Sequence, residues 1–230
     1  MKEYKYVSPN LSFLERVYLN KFWDVWAATV YPSWIAPNTI TLIGTVVLFS
    51  AFILGVSYDP QLTGEAPTWT FVVMAIAGFI YQTFDGSDGK HARNTKSGSA
   101  LGEMFDHGCD SLVGFLYTSY CLHCAQMGMN SWVTILVIVS QACAFFTSNL
   151  TLLHQGRQKF NDLDCQEAQV VMQIWMVMGY IYGIAFYTFQ VWIPAYPIVL
   201  SIFSYLPKEY LTLRAPDNIV EGNIISYMSV

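Results

Sequence analysis

Residues 85–110 read DGSDGKHARNTKSGSALGEMFDHGCD, and this stretch decides how the rest of the chain is interpreted. It contains four aspartates in two pairs, Asp85 with Asp88 and Asp106 with Asp110. Long apolar runs flank it on both sides. Carboxylates next to a membrane are costly unless they pair, bind a metal or line a wet cavity, so such a cluster indicates a functional site.

The composition is typical of a membrane protein. Of the 230 residues, 54% are hydrophobic and only 12% are charged, whereas an average soluble domain carries about 25% charged residues. The net charge of −5 and the lack of a basic tract argue against nucleic acid as a partner. The five cysteines are odd in number and do not indicate a disulfide framework.

Six apolar runs predict membrane-spanning helices, each of which needs about 20 residues. The runs cover residues 39–57, 69–84, 100–126, 132–153, 168–189 and 192–206. We expect the second and third helices to continue past the lipid, which places the aspartates at a membrane surface. The sequence therefore predicts an all-α integral membrane protein with one domain, residues 1–230, made of a helix bundle (39–206) and a C-terminal tail (207–230).

The cationic residues alternate with these runs. All eleven precede the first run, follow the sixth, or lie between the second and third or the fourth and fifth: Lys2, Lys5, Arg16, Lys21, Lys90, Arg93, Lys96, Arg157, Lys159, Lys208 and Arg214. The other loops contain none. The positive-inside rule then predicts that both termini and the aspartate cluster face the cytosol.

Residues 11–30 form a further amphipathic segment before the first run. Leu11, Leu14, Tyr18, Phe22 and Val25 recur at helical spacing. This pattern predicts an interfacial helix lying in the headgroup layer. A helix packed on the bundle fits the same pattern, and the two interpretations are compatible.

The aspartate spacing predicts a metal site. On helices, Asp85 and Asp88 stand at i, i+3, and Asp106 and Asp110 at i, i+4, so each pair shares a face. Two antiparallel helices joined by a turn over residues 94–99 bring the pairs together. Four carboxylates so close repel one another unless cations neutralise them. Oxygen ligands suit Mg²⁺ or Mn²⁺, and such a site has room for two ions.

The residues between the aspartates suit a bulky anionic ligand. Gly89, Ala92 and Gly102 leave space beside the acids, while Arg93 and the nearby Lys90 supply positive charge for a phosphate. His91 falls between these positions, and we interpret it as a surface residue.

The spacing D-x2-D-G-x2-A-R-x8-G-x3-D-x3-D resembles the signature of the CDP-alcohol phosphotransferase family. Eight fixed positions match it: Asp85, Asp88, Gly89, Ala92, Arg93, Gly102, Asp106 and Asp110. Gln82, Lys90 and the segments 36–41 and 102–110 are similar to the eukaryotic cholinephosphotransferase and ethanolaminephosphotransferase branch. Residues 164–169, DCQEAQ, keep only the polar positions of that branch's DVTExQ-like segment.

The resemblance implies an enzyme of the EC 2.7.8 type. It would transfer phosphocholine or phosphoethanolamine from CDP-choline or CDP-ethanolamine to diacylglycerol, release CMP and form phosphatidylcholine or phosphatidylethanolamine. Asp85, Asp88 and Asp106 would hold Mg²⁺ or Mn²⁺, with Asp110 as a further ligand. The substrate-binding residues would be Asn38, Gly89, Lys90, Ala92, Arg93 and Gly102.

Two candidates remain for the general base that accepts the proton of the lipid hydroxyl. Asp110 is the family-wide candidate. Glu103 and His107 stand at i, i+4 on one helix, and a carboxylate that orients an imidazole makes a suitable base. We favour His107, although it could instead support the metal site through a hydrogen bond.

The resemblance also implies an integral membrane location, in the endoplasmic reticulum or Golgi, with the active site facing the cytosol. The partners would be the CDP-alcohol, diacylglycerol and the bilayer, and a homodimer stays an open alternative to a monomer. Members of this branch usually have more spans, so a truncated, inactive or regulatory form is one alternative function. An Asp-rich intramembrane prenyltransferase is another, although it would need a second Asp-rich motif.

Overall fold

The computed structural model describes residues 11–128, 131–155 and 164–183, and every regular element in these ranges is a helix. A short π-helical segment, Glu15–Leu19, leads into the first α-helix. The α-helices are α1 Asn20–Thr29, α2 Pro37–Tyr58, α3 Trp69–Asn94, α4 Ala100–Cys124, α5 Trp132–Gln155 and α6 Cys165–Tyr182. The all-α prediction is confirmed for this part of the chain.

Two of the helices are long and apolar enough to cross a membrane by length and composition. These are α2 over its whole length and α5 over Trp132–Leu152. Helices α3, α4 and α6 coincide largely with predicted spans, but α3 and α4 also carry the acidic stretch. The sixth predicted span, 192–206, and the tail, 207–230, lie outside the described residues. Six spans and cytosolic termini therefore stay predictions.

Helix α3 lies at the centre of the bundle and contacts α1, α2, α4 and α6. Large side chains from these helices form the buried core, among them Leu48, Phe71, Tyr120 and Met176. In a membrane, helices associate through close packing that small residues permit. At Gly78 of α3 an added Cβ would lie only 2.3 Å from the Tyr117 hydroxyl. The close approach of the Tyr117 ring to α3 therefore depends on this glycine.

The N-terminal helix packs directly on α3. A Cβ at Gly86 would lie 2.4 Å from the ring of Trp23, which is 3% exposed. Lys90 Nζ donates to Asp24 Oδ1 at 2.6 Å and fixes the same contact electrostatically. The outer face still exposes apolar side chains such as Val25. Packing on the bundle is thus confirmed, and a position in the headgroup layer stays a prediction.

The predicted hairpin around the aspartates is confirmed. Helix α3 runs without interruption to Asn94, and α4 begins at Ala100. Ser99 is the N-cap of α4, and its hydroxyl accepts the backbone N–H of Gly102 at 3.1 Å. Such a cap satisfies one of the donors left unpaired at a helix start. This turn places the two aspartate pairs on adjacent helices.

Candidate active site

All four aspartates of residues 85–110 line one cavity of about 560 Å³. Its walls come from the N-terminal segment and from α3, α4, α5 and α6. The acids enter from two sides, Asp85 and Asp88 from α3 and Asp106 and Asp110 from α4. A cavity of this volume is in the usual range for small-molecule sites.

Three of the carboxylates form a tight group. Asp85, Asp106 and Asp110 each offer an oxygen, and these oxygens lie within 4.8 Å of one another. The Tyr81 hydroxyl donates to Asp110 Oδ1 at 2.7 Å and lies 3.2 Å from Asp85 Oδ1. Asp106 Oδ1 is buried, and no hydrogen-bond partner for it exists within the described residues.

This group fits a divalent cation. A buried carboxylate oxygen without a donor is unfavourable, and so is the close approach of like charges. A hard cation such as Mg²⁺ or Mn²⁺ would remove both penalties, because it prefers carboxylate oxygens. The residues present therefore match the metal predicted for the family, while the number of ions stays a prediction.

Asp88 has a different environment from the other three. It is only 7% exposed, and the Thr41 hydroxyl of α2 donates to its Oδ2. The close group thus contains Asp110, the acid that the sequence suggested as a further ligand, rather than Asp88. Asp88 still lines the same cavity and stays a candidate ligand.

The two candidates for the general base lie next to each other. His107 Nδ1 is 3.7 Å from Asp110 Oδ2, which is beyond hydrogen-bond distance. The same nitrogen is buried and unpartnered among the described side chains. Glu103 lines the cavity together with His107. The structure therefore places the His107 imidazole beside the aspartates, with Nδ1 within ion-pair distance of Asp110.

The predicted phosphate-binding residues divide into two groups. Gly89, Lys90 and Arg93 line the cavity. A Cβ at Gly89 would meet only Arg93 Nη1, at 3.7 Å, so this glycine leaves open space rather than permitting a packing contact. The ammonium of Lys90 also pairs with Asp24 of α1.

The second group contains Asn38, Ala92 and Gly102. These three are not among the described residues that line the cavity. Asn38 and Gly102 are close to each other instead, since a Cβ at Gly102 would lie 3.2 Å from Asn38 Oδ1. This pair stands where α2 and α4 begin. Their role in substrate binding stays a prediction.

The interpretation of His91 as a surface residue was wrong. Its side chain is 2% exposed, and Nε2 lies 2.9 Å from the carbonyl oxygen of Ile35. Its ring also makes an edge contact with Tyr31, at 5.5 Å between centroids. The segment before α2 folds over this end of α3, and no local spacing in the sequence reveals that contact.

Sequence reasoning also missed several residues of the site. Tyr81 stands four residues before Asp85, so helical spacing could have placed it on the same face. Thr41 and Glu15 are remote in sequence from the acids, and no local pattern indicates them. Glu15 lines the cavity, and burial, together with nearby Asp164 and Glu167, raises the pKa of its carboxyl despite a hydrogen bond from the Ser12 N–H.

Comparison with known proteins gives a consistent result. Residues 34–203 match the family model for CDP-alcohol phosphatidyltransferase. Cholinephosphotransferase 1 of Danio rerio is 33% identical over 210 residues, which cover 90% of this chain and 53% of that protein. Cholinephosphotransferase 1 of Saccharomyces cerevisiae is 39% identical over 155 residues, covering 67% and 39%. Choline/ethanolaminephosphotransferase 2 of Arabidopsis thaliana is 38% identical over 157 residues, covering 66% and 40%.

The chain spans about half the length, or less, of these curated relatives. The match nevertheless includes α2 to α6 and therefore all four aspartates of the site. The eight-position frame, the hairpin that carries it and the family match agree with one another. The chain belongs to the CDP-alcohol phosphatidyltransferase family.

Proposed function

We propose that this protein transfers phosphocholine or phosphoethanolamine from a CDP-alcohol to the hydroxyl of diacylglycerol. The observation that carries the proposal is the close group of Asp85, Asp106 and Asp110, which lines one cavity with His107 and Arg93. The names of the relatives, cholinephosphotransferase and choline/ethanolaminephosphotransferase, support the same substrate class.

In the proposed reaction, the hydroxyl oxygen of diacylglycerol forms a bond to the phosphorus that carries the alcohol. The bond from that phosphorus to the oxygen of CMP breaks, and CMP leaves with the electron pair. His107 accepts the hydroxyl proton. Arg93 binds a phosphate oxygen of the CDP-alcohol through its guanidinium. A divalent cation held by Asp85, Asp106 and Asp110 would neutralise charge on the diphosphate.

The environment of the reaction follows from the same proposal. Diacylglycerol is confined to the bilayer, and α2 and α5 are apolar enough to cross it. The positive-inside rule places the aspartates on the cytosolic side, where CDP-alcohols are available. The endoplasmic reticulum or Golgi membrane is the proposed location.

The test is a transfer assay with the purified full chain in lipid nanodiscs that contain diacylglycerol. Labelled CDP-choline and CDP-ethanolamine are supplied separately, with Mn²⁺ or Mg²⁺, and the labelled lipid is measured. We expect metal-dependent product from at least one CDP-alcohol. Asp106→Asn should reduce the rate by at least about a hundredfold, because it removes a carboxylate from the metal group.

Glu65→Gln is the matched control, since it removes one exposed carboxylate from the loop between α2 and α3. It should leave the rate unchanged. Near wild-type transfer by Asp106→Asn would contradict the metal assignment. Absence of transfer by the folded wild-type chain, with both CDP-alcohols and both metals, would favour the inactive or regulatory alternative.

A further inference from the structure

Three glutamines fix the position of α6 against α3. Gln82 Nε2 donates to the backbone oxygen of Gln166 at 3.1 Å and to its side-chain oxygen at 2.9 Å. Gln173 Nε2 donates to Gln82 Oε1 at 3.1 Å. Between them these bonds hold two turns of α6 next to the turn of α3 that precedes Asp85.

The start of α6 is held by a second set of contacts. Asp164 and Glu167 form a reciprocal capping box, in which Glu167 Oε2 accepts the Asp164 N–H at 2.9 Å. The other oxygen of Glu167 accepts the backbone N–H of Leu14 at 2.7 Å. Helix α6 is therefore a fixed wall of the cavity.

The side-chain oxygen of Gln169, on this wall, differs from that of Gln166, which accepts a hydrogen bond from Gln82. Gln169 lines the cavity together with Gln166 and the carboxylate group. Its Oε1 atom is buried and has no hydrogen-bond partner among the residues that the structure describes. A buried acceptor without a donor is unfavourable. A ligand that brings a donor to this wall would relieve that penalty.

The charges around this wall favour a cationic donor. Glu15 lines the same cavity, and Asp164 and Glu167 stand at the start of α6. A negative wall favours an ammonium group over a phosphate or a neutral hydroxyl.

We propose that the side-chain carbonyl of Gln169 accepts a hydrogen bond from the ammonium group of a phosphoethanolamine headgroup, and so favours CDP-ethanolamine over CDP-choline. The ammonium of ethanolamine has N–H donors, whereas the trimethylammonium of choline has none. This inference rests on the proposed function and names Gln169 as a specificity-determining residue for it.

The experiment compares wild type, Gln169→Met and Gln169→Glu as full chains in nanodiscs. KM and kcat are measured for each CDP-alcohol, and dissociation constants are measured by calorimetric titration. Gln169→Met should raise both KM and the dissociation constant of CDP-ethanolamine by about tenfold, as expected for a lost hydrogen bond to a charged group, with CDP-choline little changed. Gln169→Glu keeps an acceptor oxygen and should preserve or increase the preference for CDP-ethanolamine.

Gln173→Leu is the control for a purely structural effect, because Gln173 belongs to the hydrogen bonds that hold α6. It should change the KM values of the two CDP-alcohols by the same factor. The inference is overturned if Gln169→Met changes the KM values of CDP-ethanolamine and CDP-choline by equal factors. It is also overturned if the variant changes only the KM of diacylglycerol. If Gln169→Met does not fold, a Gln169→Glu chain that loses the preference for CDP-ethanolamine would overturn it equally.

The two proposals can fail separately. A wild-type chain that neither binds nor uses either CDP-alcohol contradicts the proposed function and this inference with it. An active wild-type chain whose selectivity is unaltered in Gln169→Met contradicts only the role of Gln169.

Discussion

Two aspartate sites in this protein, Asp59 alone and the group of Asp85, Asp106 and Asp110, have opposite surroundings. Asp59, just after α2, is 4% exposed. Its Oδ2 accepts the backbone N–H groups of Gly64 at 2.8 Å and Glu65 at 3.0 Å. The Thr63 hydroxyl donates to the same carboxylate, and His123 Nδ1 lies 3.6 Å away. In the group formed by Asp85, Asp106 and Asp110, the Tyr81 hydroxyl donates to Asp110, and one oxygen of Asp106 has no partner among the described residues.

We propose that this difference separates a structural carboxylate from those that bind a metal. Asp59 has exchanged water for protein donors, so its charge stabilises the loop that it closes. Among the described residues, the acids of the cavity have fewer hydrogen-bond donors than Asp59, and they stand close enough to repel one another. Such an arrangement is unfavourable for the fold alone, and it persists where a cation supplies the missing partner.

The largest effect that we expect is a loss of activity without a loss of stability. His107→Ala should lower kcat by about a hundredfold to ten-thousandfold, the usual contribution of a general base. The KM of the CDP-alcohol and the thermal unfolding temperature should stay close to wild type. Steady-state kinetics and unfolding curves in nanodiscs measure both. A parallel loss of stability would instead make His107 a structural residue like Asp59.

Some of the site could be predicted from local spacing. The positions i, i+3 and i, i+4 place Asp85 with Asp88 and Asp106 with Asp110, and the polar turn between them gives the hairpin. These features depend on helical periodicity, which a single stretch of sequence contains. The structure confirms the hairpin, and the comparisons confirm the family.

Contacts between distant segments could not be predicted in this way. Lys90 was assigned to a phosphate from its type and position, yet it pairs with Asp24, 66 residues earlier. Thr41 reaches Asp88 from 47 residues away. His91 is buried by the segment before α2. Each contact depends on how helices pack, and the periodicity of one helix does not contain that information.

The second prediction tests whether a metal supplies the missing partner. Mn²⁺ at a concentration one hundred times its dissociation constant should stabilise the wild-type chain by about 2.7 kcal/mol at a single site. Thermal unfolding in nanodiscs, with and without Mn²⁺, measures this. Asp106→Asn should remove most of the stabilisation, whereas Asp59→Asn should keep it. Equal loss in both variants would mean that the two groups do not differ in metal binding.

The third prediction concerns the fold. Asp59→Asn should lower the free energy of unfolding by about 2 kcal/mol, because hydrogen bonds to a charged acceptor are each worth about 1.5–3 kcal/mol and the amide retains only one acceptor oxygen. Transfer activity well below the unfolding temperature should be unchanged. Denaturant unfolding in detergent gives the free energy, and Glu65→Gln is the control on the same loop. A stable but inactive Asp59→Asn chain would reverse the assignment of the two groups.

The smallest effect is the pH dependence of the Asp59 loop. Burial alone would raise the pKa of Asp59, but the N–H groups of Glu65 and Gly64, together with His123 and Thr63, lower it below its ordinary value. A carboxyl whose pKa is lower in the folded state stabilises the fold above its unfolded pKa, about 4, and loses this contribution as pH falls through the folded pKa. The difference in unfolding temperature between wild type and Asp59→Asn should thus be constant near neutral pH and shrink below about pH 4. A difference that already shrinks near neutral pH would assign the effect to a group other than Asp59, because a carboxyl with a lowered pKa does not titrate there.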